Sequence, residues 1–394
     1  MDLSQDQQQA RNDILAAVHS GEREIVLSGP AGSGKTTLMR QVLADLRELR
    51  RETALLAPTG KAAARLRDTT GAETSTIHRA LYKTVRESET GAVEFADPQT
   101  VARRGGVIVC DEASMVGKNL AKDLIGSLPA GAQILWVGDR EQLPPVQDTW
   151  GANFANPTAL LTQVHRQAEH SPIIRLATAV RRGDDWRRIP MATGYSRMRC
   201  TREQAAAWLV GQRMFGADAT LVTFSNATRR QLNALVRAQS GRSGLLDAGD
   251  HIVCTRNQYP RGIWNGEVFA VRDCWPEPVQ TWSVDGIGMI DLTCADTSGG
   301  EFLVWPEALD GTADSAAWRA MDDQLEKRDR NRLVRCEYGE CLTVHKSQGS
   351  QWDVVGLVHD KALDAMQDRD PETYRRLVYT AVTRAAKELV IFEV

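Results

Sequence analysis

Cysteine is sparse in this sequence, and its spacing pairs none of it. The seven residues, Cys110, Cys200, Cys254, Cys274, Cys294, Cys336 and Cys341, are an odd number without a C-x-x-C, which argues against both a disulfide framework and a zinc site. No apolar run approaches the roughly eighteen residues of a membrane span. The amino terminus, Met1-Asp-Leu-Ser-Gln-Asp-Gln7, lacks the basic start and apolar stretch of a leader. The expected compartment is therefore the cytoplasm, with no membrane partner. Excess charge of one sign is missing too. With a formal net charge of -3, a polyanionic partner must be met by local basic patches and backbone donors, because the field of the whole molecule is close to neutral. What remains is ordinary for a globular chain: 42% apolar and 25% charged over 394 residues, enough for two to four cores.

What the sequence does contain is Gly29-Pro30-Ala31-Gly32-Ser33-Gly34-Lys35-Thr36, a match to G-x-x-x-x-G-K-[ST]. Its context is right. Glu24–Ser28 reads as a short strand, and after the glycines Leu38, Val42, Leu46 and Leu49 recur at helical spacing. Glycines let backbone N–H groups curl round phosphate oxygens at the positive end of the new helix. Lys35 is then expected to reach the β- and γ-phosphates and Thr36 to ligate Mg²⁺. A nucleoside triphosphate is the expected ligand.

Other residues gather around that loop in the sequence. Ser4 with Gln7 fits a capping box, while the Gln7 amide equally matches the donor and acceptor of an adenine edge; both readings stand. A second strand, Thr53–Ala57, runs into Pro58-Thr59-Gly60-Lys61, a free helix end that suits an anion or an ordinary β–α connection. Val107-Ile-Val-Cys110 is the continuous apolar run of a strand buried on both faces of a parallel sheet, and it ends in Asp111-Glu112. In a P-loop protein this Asp111 holds Mg²⁺ and the neighbouring Glu112 positions or deprotonates the attacking water; the alternative for Asp111 is a helix cap. Gln133–Val137 leads into Gly138-Asp-Arg-Glu-Gln142. Ligands in such sheets bind beyond the strand ends, which puts Gln142 near the γ-phosphate.

Taken together, Gln7, GPAGSGKTT (29–37), APTGKAAARL (57–66), STIHRAL (75–81), VIVCDEASMV (107–116) and GDREQLPPV (138–146) resemble the first motor lobe of superfamily 1 DNA helicases. The branch is superfamily 1B, the 5′-to-3′ group with RecD, Pif-like enzymes and the phage Dda helicase. The second half agrees. Leu161-Thr-Gln-Val-His-Arg166-Gln167 is similar to the family's fourth motif, Leu342-Thr343-Val-His345-Lys346-Ser-Gln348-Gly349 with Asp353 to its fifth, and Val378-Tyr379-Thr380 through Arg384-Ala385 to its sixth.

The resemblance implies an α/β fold of two RecA-like P-loop lobes, with a β-hairpin inserted in the first and a small SH3-like β-barrel in the second. The corresponding ranges are 1–150 for the first lobe with its hairpin pin at 82–106, 151–266 and 336–394 for the second lobe, and 267–335 for the barrel with a charged helix. ATP would lie between the lobes, held by Gln7, Gly29, Pro30, Ala31, Gly32, Ser33, Gly34, Lys35, Thr36, Thr37, Asp111 and Gly349, with Mg²⁺ on Thr36 and Asp111. Lys35, Glu112, Gln142, Arg166 and Arg384 would be catalytic, the two arginines reaching the γ-phosphate from the second lobe. Arginine suits that task because its planar fork donates two hydrogen bonds and never loses its charge. Single-stranded DNA would run over both lobes on Pro58, Thr59, Thr76, His78, Thr343 and His345, contacts that grip backbone without reading sequence. Both histidines also have plain readings as cap or core residues.

The implied activity is an ATP-dependent 5′-to-3′ DNA helicase and strand translocase acting on single-stranded and forked duplex DNA. Its site halves share one chain, so a monomer is implied; single-strand-binding and replication proteins are candidate partners, and the host cytoplasm is the compartment for a phage-encoded chain. Replication, repair and recombination are all compatible. In the hairpin, Phe95 is the residue to stack on the junction base pair, or else an ordinary half-buried aromatic. Trp264, Trp275, Trp282, Trp305 and Trp318 cluster in the inserted segment and read better as barrel core than as DNA platforms. Residues 314–335 read as a charged amphipathic helix. Gln351 stands where the family is expected to carry an acid, a departure expected to leave the nucleotide residues unaffected. Two other classes stay open: a translocase that displaces proteins from DNA without separating strands, and a P-loop enzyme, such as a kinase, on a small substrate.

Overall fold

The computed structural model describes residues 3–82, 84–87, 93–95, 105–145, 148–164, 170–256, 258, 261, 263–275, 277–284, 288–313, 315–325 and 332–394. Two of the expected functional groups, Arg166 and the Phe95 side chain, lie outside the described residues.

The first sheet has six parallel strands in the order Thr74–Thr76, Thr53–Ala57, Val107–Cys110, Gln133–Gly138, Glu24–Ser28, Ala159–Leu160. Its central strands are largely apolar because both faces are covered, and alternate residues feed separate cores. Ile25, Leu27, Val107, Val109, Leu135 and Val137 pack with Ile14, Val18, Leu38, Val42 and Leu46 of the Gln5–Ser20 and Lys35–Glu48 helices. Val26, Ile108, Cys110, Ile134 and Trp136 pack on the other side with Ile77, Leu81 and Leu124. The short strand Ala159–Leu160 joins this sheet beside Glu24–Ser28, so the first lobe's sheet continues past residue 150.

The second sheet is also parallel, in the order Cys341–Thr343, Ala219–Thr223, Trp352–His359, Ala385–Glu393, Tyr195–Arg199. The same alternation holds. Val222, Val355, Leu357, Leu389 and Ile391 meet the Pro172–Arg182 and Pro371–Val382 helices, whereas Leu221, Val354, Val358, Val390 and Phe392 meet the Arg202–Met214 and Asn226–Gln239 helices.

Between Asn226–Gln239 and Cys341–Thr343 the chain builds a third, antiparallel sheet ordered Gln280–Val284, Gly288–Thr297, Val268–Cys274, His251–Cys254, Cys336–Tyr338, with Gly300–Val304 on Gly288–Thr297. It takes in strands on both sides of the 267–335 range read from the sequence. The tryptophans divide. Trp305 and Trp318 stack edge to face at 5.0 Å in its core, Trp275 is 46% exposed, and Trp264 reaches the first lobe. Within 314–335 the helix is Ser315–Gln324, burying Trp318 and Met321.

A buried carboxylate ties the second and third sheets together. Glu340, with no exposed surface, accepts the His251 N–H at 3.0 Å and an Arg242 N–H at 2.6 Å, and pairs with Arg213 of the Arg202–Met214 helix. Elsewhere, Thr84–Glu87 and Val93–Phe95 pair as antiparallel strands. All seven cysteines are free. Among the described residues no helix is long and apolar enough to cross a membrane, and no group of three or more metal-ligating side chains gathers.

Candidate nucleotide cleft between two lobes

The Glu24–Ser28 strand ends where Gly29 donates to Gly138 O at 3.1 Å, and the chain then turns through Gly32 and Gly34, at φ +78° and +76°. Only glycine adopts those angles without strain. Gly34 is the cap residue of the Lys35–Glu48 helix, so the helix's free N–H groups face the loop. Lys35 Nζ donates to Gly29 O and Pro30 O at 2.7 and 3.1 Å.

These residues form one wall of a cleft of about 350 Å³. Its wall and floor include Pro30, Ala31, Gly32, Gly34, Lys35, Thr36, Asp111, Glu112 and Gln142 from the first lobe, and Gln351, Thr383 and Arg384 from the second. Three residues of the expected nucleotide set, Gly29, Ser33 and Thr37, are next to this lining in the chain and not part of it. Gln7 is buried and is not part of it either: it completes the Ser4 capping box, and its amide nitrogen donates to Ser33 O and Gly34 O at 3.4 and 3.2 Å. The described structure thus has Gln7 bracing the loop from beneath. Gly349 is likewise off the cleft wall. It sits at φ +72° against Thr59 and Ala62, where a Cβ would come within 3.0 Å of Thr59 Oγ, so the two lobes touch there.

The two acids at the end of Val107–Cys110 stand in unusual surroundings. Withdrawal from water, then the charge of Glu112, push the Asp111 carboxyl up to about 6, against the pull of Lys35 and Arg65. Glu112 has φ +51°, one of two non-glycine residues in the left-handed region among the described residues; backbone strain of this kind costs on the order of 1–3 kcal/mol and collects at functional sites. The turn that follows, Ala113–Met115, carries no side-chain cap. A divalent cation suits this corner: an oxygen-donor carboxylate disfavoured in its charged form, the Thr36 hydroxyl and the loop all line the same cleft.

Across the cleft, Arg384 is only 3% exposed. It donates to Thr380 O and Ser350 O at 3.0 Å each and to Thr383 Oγ at 3.1 Å. Among the described residues no carboxylate is within ion-pair distance of it. Burial lowers its pKa, while Glu112 raises it from across the gap. A buried guanidinium without a paired anion is costly, and it faces the phosphate loop. Gln142, 6% exposed, lines the cleft with its amide oxygen unpartnered and buried. An unpartnered amide oxygen and a guanidinium without an ion-pair partner among the described residues therefore border one space.

The segment carrying Gln142 is clasped by the second lobe. Leu143 N donates to Thr380 Oγ at 3.1 Å, Gln348 Nε2 to Leu143 O at 3.1 Å, Arg375 to Glu141 at 2.6 Å, and Arg376 to Gln142 O at 3.1 Å. Tyr379 does more: its hydroxyl accepts the Ala31 N–H at 2.8 Å and donates to Asp139 Oδ2 at 2.6 Å. Sequence reading assigned no role to Tyr379 or to Arg65 on the cleft wall, and gave Gln351 only as a departure from the family's expected acid; Gln351 also lines the cleft. The only signal for them was position: Tyr379 lies five residues before Arg384 and Arg65 inside the APTGKAAARL run.

On the expected DNA side, Thr59, Thr76 and Thr343 each cap a helix, accepting N–H groups of Ala62, Arg79 and Lys346 at 3.2–3.3 Å. Burial lowers the pKa of both His78 and His345, favouring the uncharged ring.

With that geometry in place, the comparisons are decisive. The AAA domain family model matches residues 2–203, just over half of the chain, and the UvrD-like helicase C-terminal domain matches residues 338–392. The chain belongs to the superfamily 1B helicases. Its relatives include the ATP-dependent RecD2 DNA helicase of Deinococcus radiodurans, 31% identical over 388 residues, covering 93% of this chain and 46% of the relative. The ATP-dependent DNA helicase dda of Enterobacteria phage T4 is 32% identical over 192 residues, 46% of this chain and 43% of Dda. The RecBCD enzyme subunit RecD of Mycobacterium tuberculosis is 28% identical over 403 residues, 92% of this chain and 65% of RecD. The chain thus spans less than two thirds of each. In fold it is similar to the Pif1 helicase of Candida albicans (TM-score 0.52, 17% identity, 100% of this chain and 95% of that one) and to Pif1 from Bacteroides in complex with ADP-AlF3 and ssDNA (0.53, 15%, 100% and 93%). At that identity the likeness speaks for the two-lobed α/β fold alone.

Proposed function

We propose that the chain is an ATP-dependent DNA helicase that moves 5′ to 3′ along single-stranded DNA and separates forked duplexes. The observation that carries this reading is Arg384: buried, lacking an ion-pair partner among the described residues, and supplied by one lobe to a cleft whose phosphate loop belongs to the other. Such a site favours a closed arrangement while the γ-phosphate bridges the lobes and loses that bias when the phosphate leaves. Cleft closure thereby becomes lobe movement along a strand.

In this reading Lys35 and the loop N–H groups hold the phosphates, and Glu112 takes the proton of the attacking water. Gln142 orients that water, and Arg384 balances the charge that builds on the γ-oxygens. Arg166 would be a second arginine in the same role. Mg²⁺, held by Thr36 and Asp111, would neutralise charge on the β- and γ-oxygens. Pro58, Thr59, Thr76, His78, Thr343 and His345 would carry the strand, the paired strands at 84–87 and 93–95 would be the pin, with Phe95 at the junction, and the third sheet the SH3-like insertion. The protein would act as a monomer.

The test is phosphate release with and without oligonucleotide, beside unwinding of forks with a 5′ or a 3′ loading tail. Stimulation by DNA and unwinding only from the 5′ tail are expected. ATP turnover indifferent to DNA would reject the motor, and protein displacement without strand separation would restrict it to translocation.

A further inference from the structure

Gly60 is the first residue of the Gly60–Thr70 helix, next to its Thr59 cap. Nothing in its backbone demands glycine, since its φ is not in the left-handed region. The demand comes from a neighbour. A Cβ on Gly60 would lie 1.8 Å from Cδ1 and 2.3 Å from Cγ of Trp264, a residue some two hundred positions away in the segment leading into the third sheet.

Trp264 is held in a tight turn: its N–H donates to Glu267 Oε2 at 3.0 Å, and Glu267 N–H returns a bond to Trp264 O at 3.0 Å. Gly266 of that turn, at φ +86°, passes close to Lys346 O, where a Cβ would sit at 3.8 Å. Lys346 belongs to the Val344–Ser347 helix capped by Thr343. A few residues on, Gly349 meets Thr59. The turn thus touches both lobes at the place where Thr59 and Thr343 cap their helices. Beside it, Lys61 lies over the Trp352 ring of the second sheet at 5.1 Å.

The Gly60–Thr70 helix also reaches the cleft. Ala62, Arg65, Leu66 and Thr69 on one side of it line the cleft. At about 1.5 Å per residue the helix is a rod of roughly 16 Å, with the cleft along its flank and Trp264 against its first turn.

We propose that Trp264 is a positioning residue for the DNA track: its indole, seated on Gly60, fixes the first turn of the Gly60–Thr70 helix so that Pro58 and Thr59 grip the strand in step with the cleft. The inference rests on the DNA-motor reading, and it assigns to the third sheet a coupling task rather than DNA contact. An aromatic ring is suited to the task, being rigid and large, so that little entropy is lost in holding one orientation. The glycine makes the fit one-sided: no side chain at position 60 shares the space.

The experiment compares the full chain with W264A, W264F, G60A and the double variant G60A/W264A. For each, ATP turnover without DNA, the concentration of a dT oligomer giving half-maximal stimulation, and the melting temperature are measured. Expected for W264A is a rise in the half-stimulating oligomer concentration of at least about tenfold, as misplacement of a binding group produces, with DNA-free turnover unchanged. W264F retains a ring and recovers most of the loss. G60A alone weakens the oligomer response to a similar degree, yet adding it to W264A weakens nothing further, because the collision has gone. Unchanged oligomer response in W264A, multiplying effects in the double variant, or a fall of DNA-free turnover and melting temperature in step with the oligomer response would each overturn the proposal. If the unaltered protein shows no stimulation by dT oligomers, the motor reading itself fails and this coupling with it.

Discussion

Tyr379, from the second lobe, donates a 2.6 Å hydrogen bond to Asp139 of the first, and the same hydroxyl accepts the Ala31 N–H of the phosphate loop. Burial raises the pKa of Asp139, so the carboxylate depends on such donors. Tyr379→Phe removes one and leaves the Glu141 N–H at 3.0 Å. The expected cost is about 1–3 kcal/mol for an incompletely satisfied buried acid, read as a lower urea midpoint. An unchanged midpoint would mean that the contact is incidental.

Lys35 and Glu112 should separate binding from chemistry. Lys35→Ala is expected to abolish ATP turnover while oligonucleotide binding by anisotropy persists. Glu112→Gln should still bind nucleotide with Mg²⁺ and slow hydrolysis by about 10²–10⁴-fold, the usual loss on removing a general base. Normal turnover in either variant contradicts its assigned role.

Arg384 offers a sharper contrast, between charge and shape. Arg384→Ala should reduce single-turnover hydrolysis by about 10³–10⁵-fold. Arg384→Lys, which keeps the charge and loses the planar fork that bonds Thr380 O, Ser350 O and Thr383 Oγ, should recover little of it. Full recovery by lysine would show that charge alone suffices.

Glu340 predicts an acid limit to stability. Burial alone would raise its pKa, but the His251 hydrogen bond and the charges of Arg213 and Arg242 outweigh it and hold the group well below the ordinary 4.5. An acid whose folded-state value is depressed contributes stability that is present above its unfolded value and lost as pH falls through the folded one. Thermal stability should therefore hold above about pH 4.5 and decline below it, whereas Glu340→Gln should be weaker by about 3–5 kcal/mol at pH 7 and show a shallower acid decline. Identical acid profiles for the two proteins would remove Glu340 from the account.

The paired strands Thr84–Glu87 and Val93–Phe95 project the assignment of the pin. Deleting residues 87–94 should abolish fork unwinding and spare DNA-stimulated ATP turnover. Loss of both activities together would make the segment structural.

Much of this was legible in the sequence wherever one short stretch carries its own physical reason. Val107–Cys110 is apolar at every position because both its faces are buried, and Gly32 and Gly34 announce a loop that only glycine can form. Contacts between distant stretches were not legible. Ala159–Leu160 is too short to show a period, so its place beside Glu24–Ser28 is invisible locally. His251–Cys254 and Cys336–Tyr338 look like strands of any sheet, and only pairing assigns them to the third. Gln7 carries two readings with the same local signature, a capping box and an adenine edge; the capping box is formed, and the contacts of its amide with Ser33 and Gly34 belong to neither reading. Tyr379 carries no local signal of its task, which shows only when Asp139 and Ala31 are brought to its hydroxyl.

Strand order in the second sheet has a consequence for how the chain is made. Ala385–Glu393 lies between Tyr195–Arg199 and Trp352–His359, so an interior plank of the sheet is made after both of its neighbours. Until it arrives, Tyr195–Arg199 has no neighbour to pair with and Trp352–His359 shows a bare edge, the condition in which nascent chains stick to one another. The first lobe can be complete while the second waits, so chaperone demand should concentrate in the interval between synthesis of residues 352–359 and of residues 385–393.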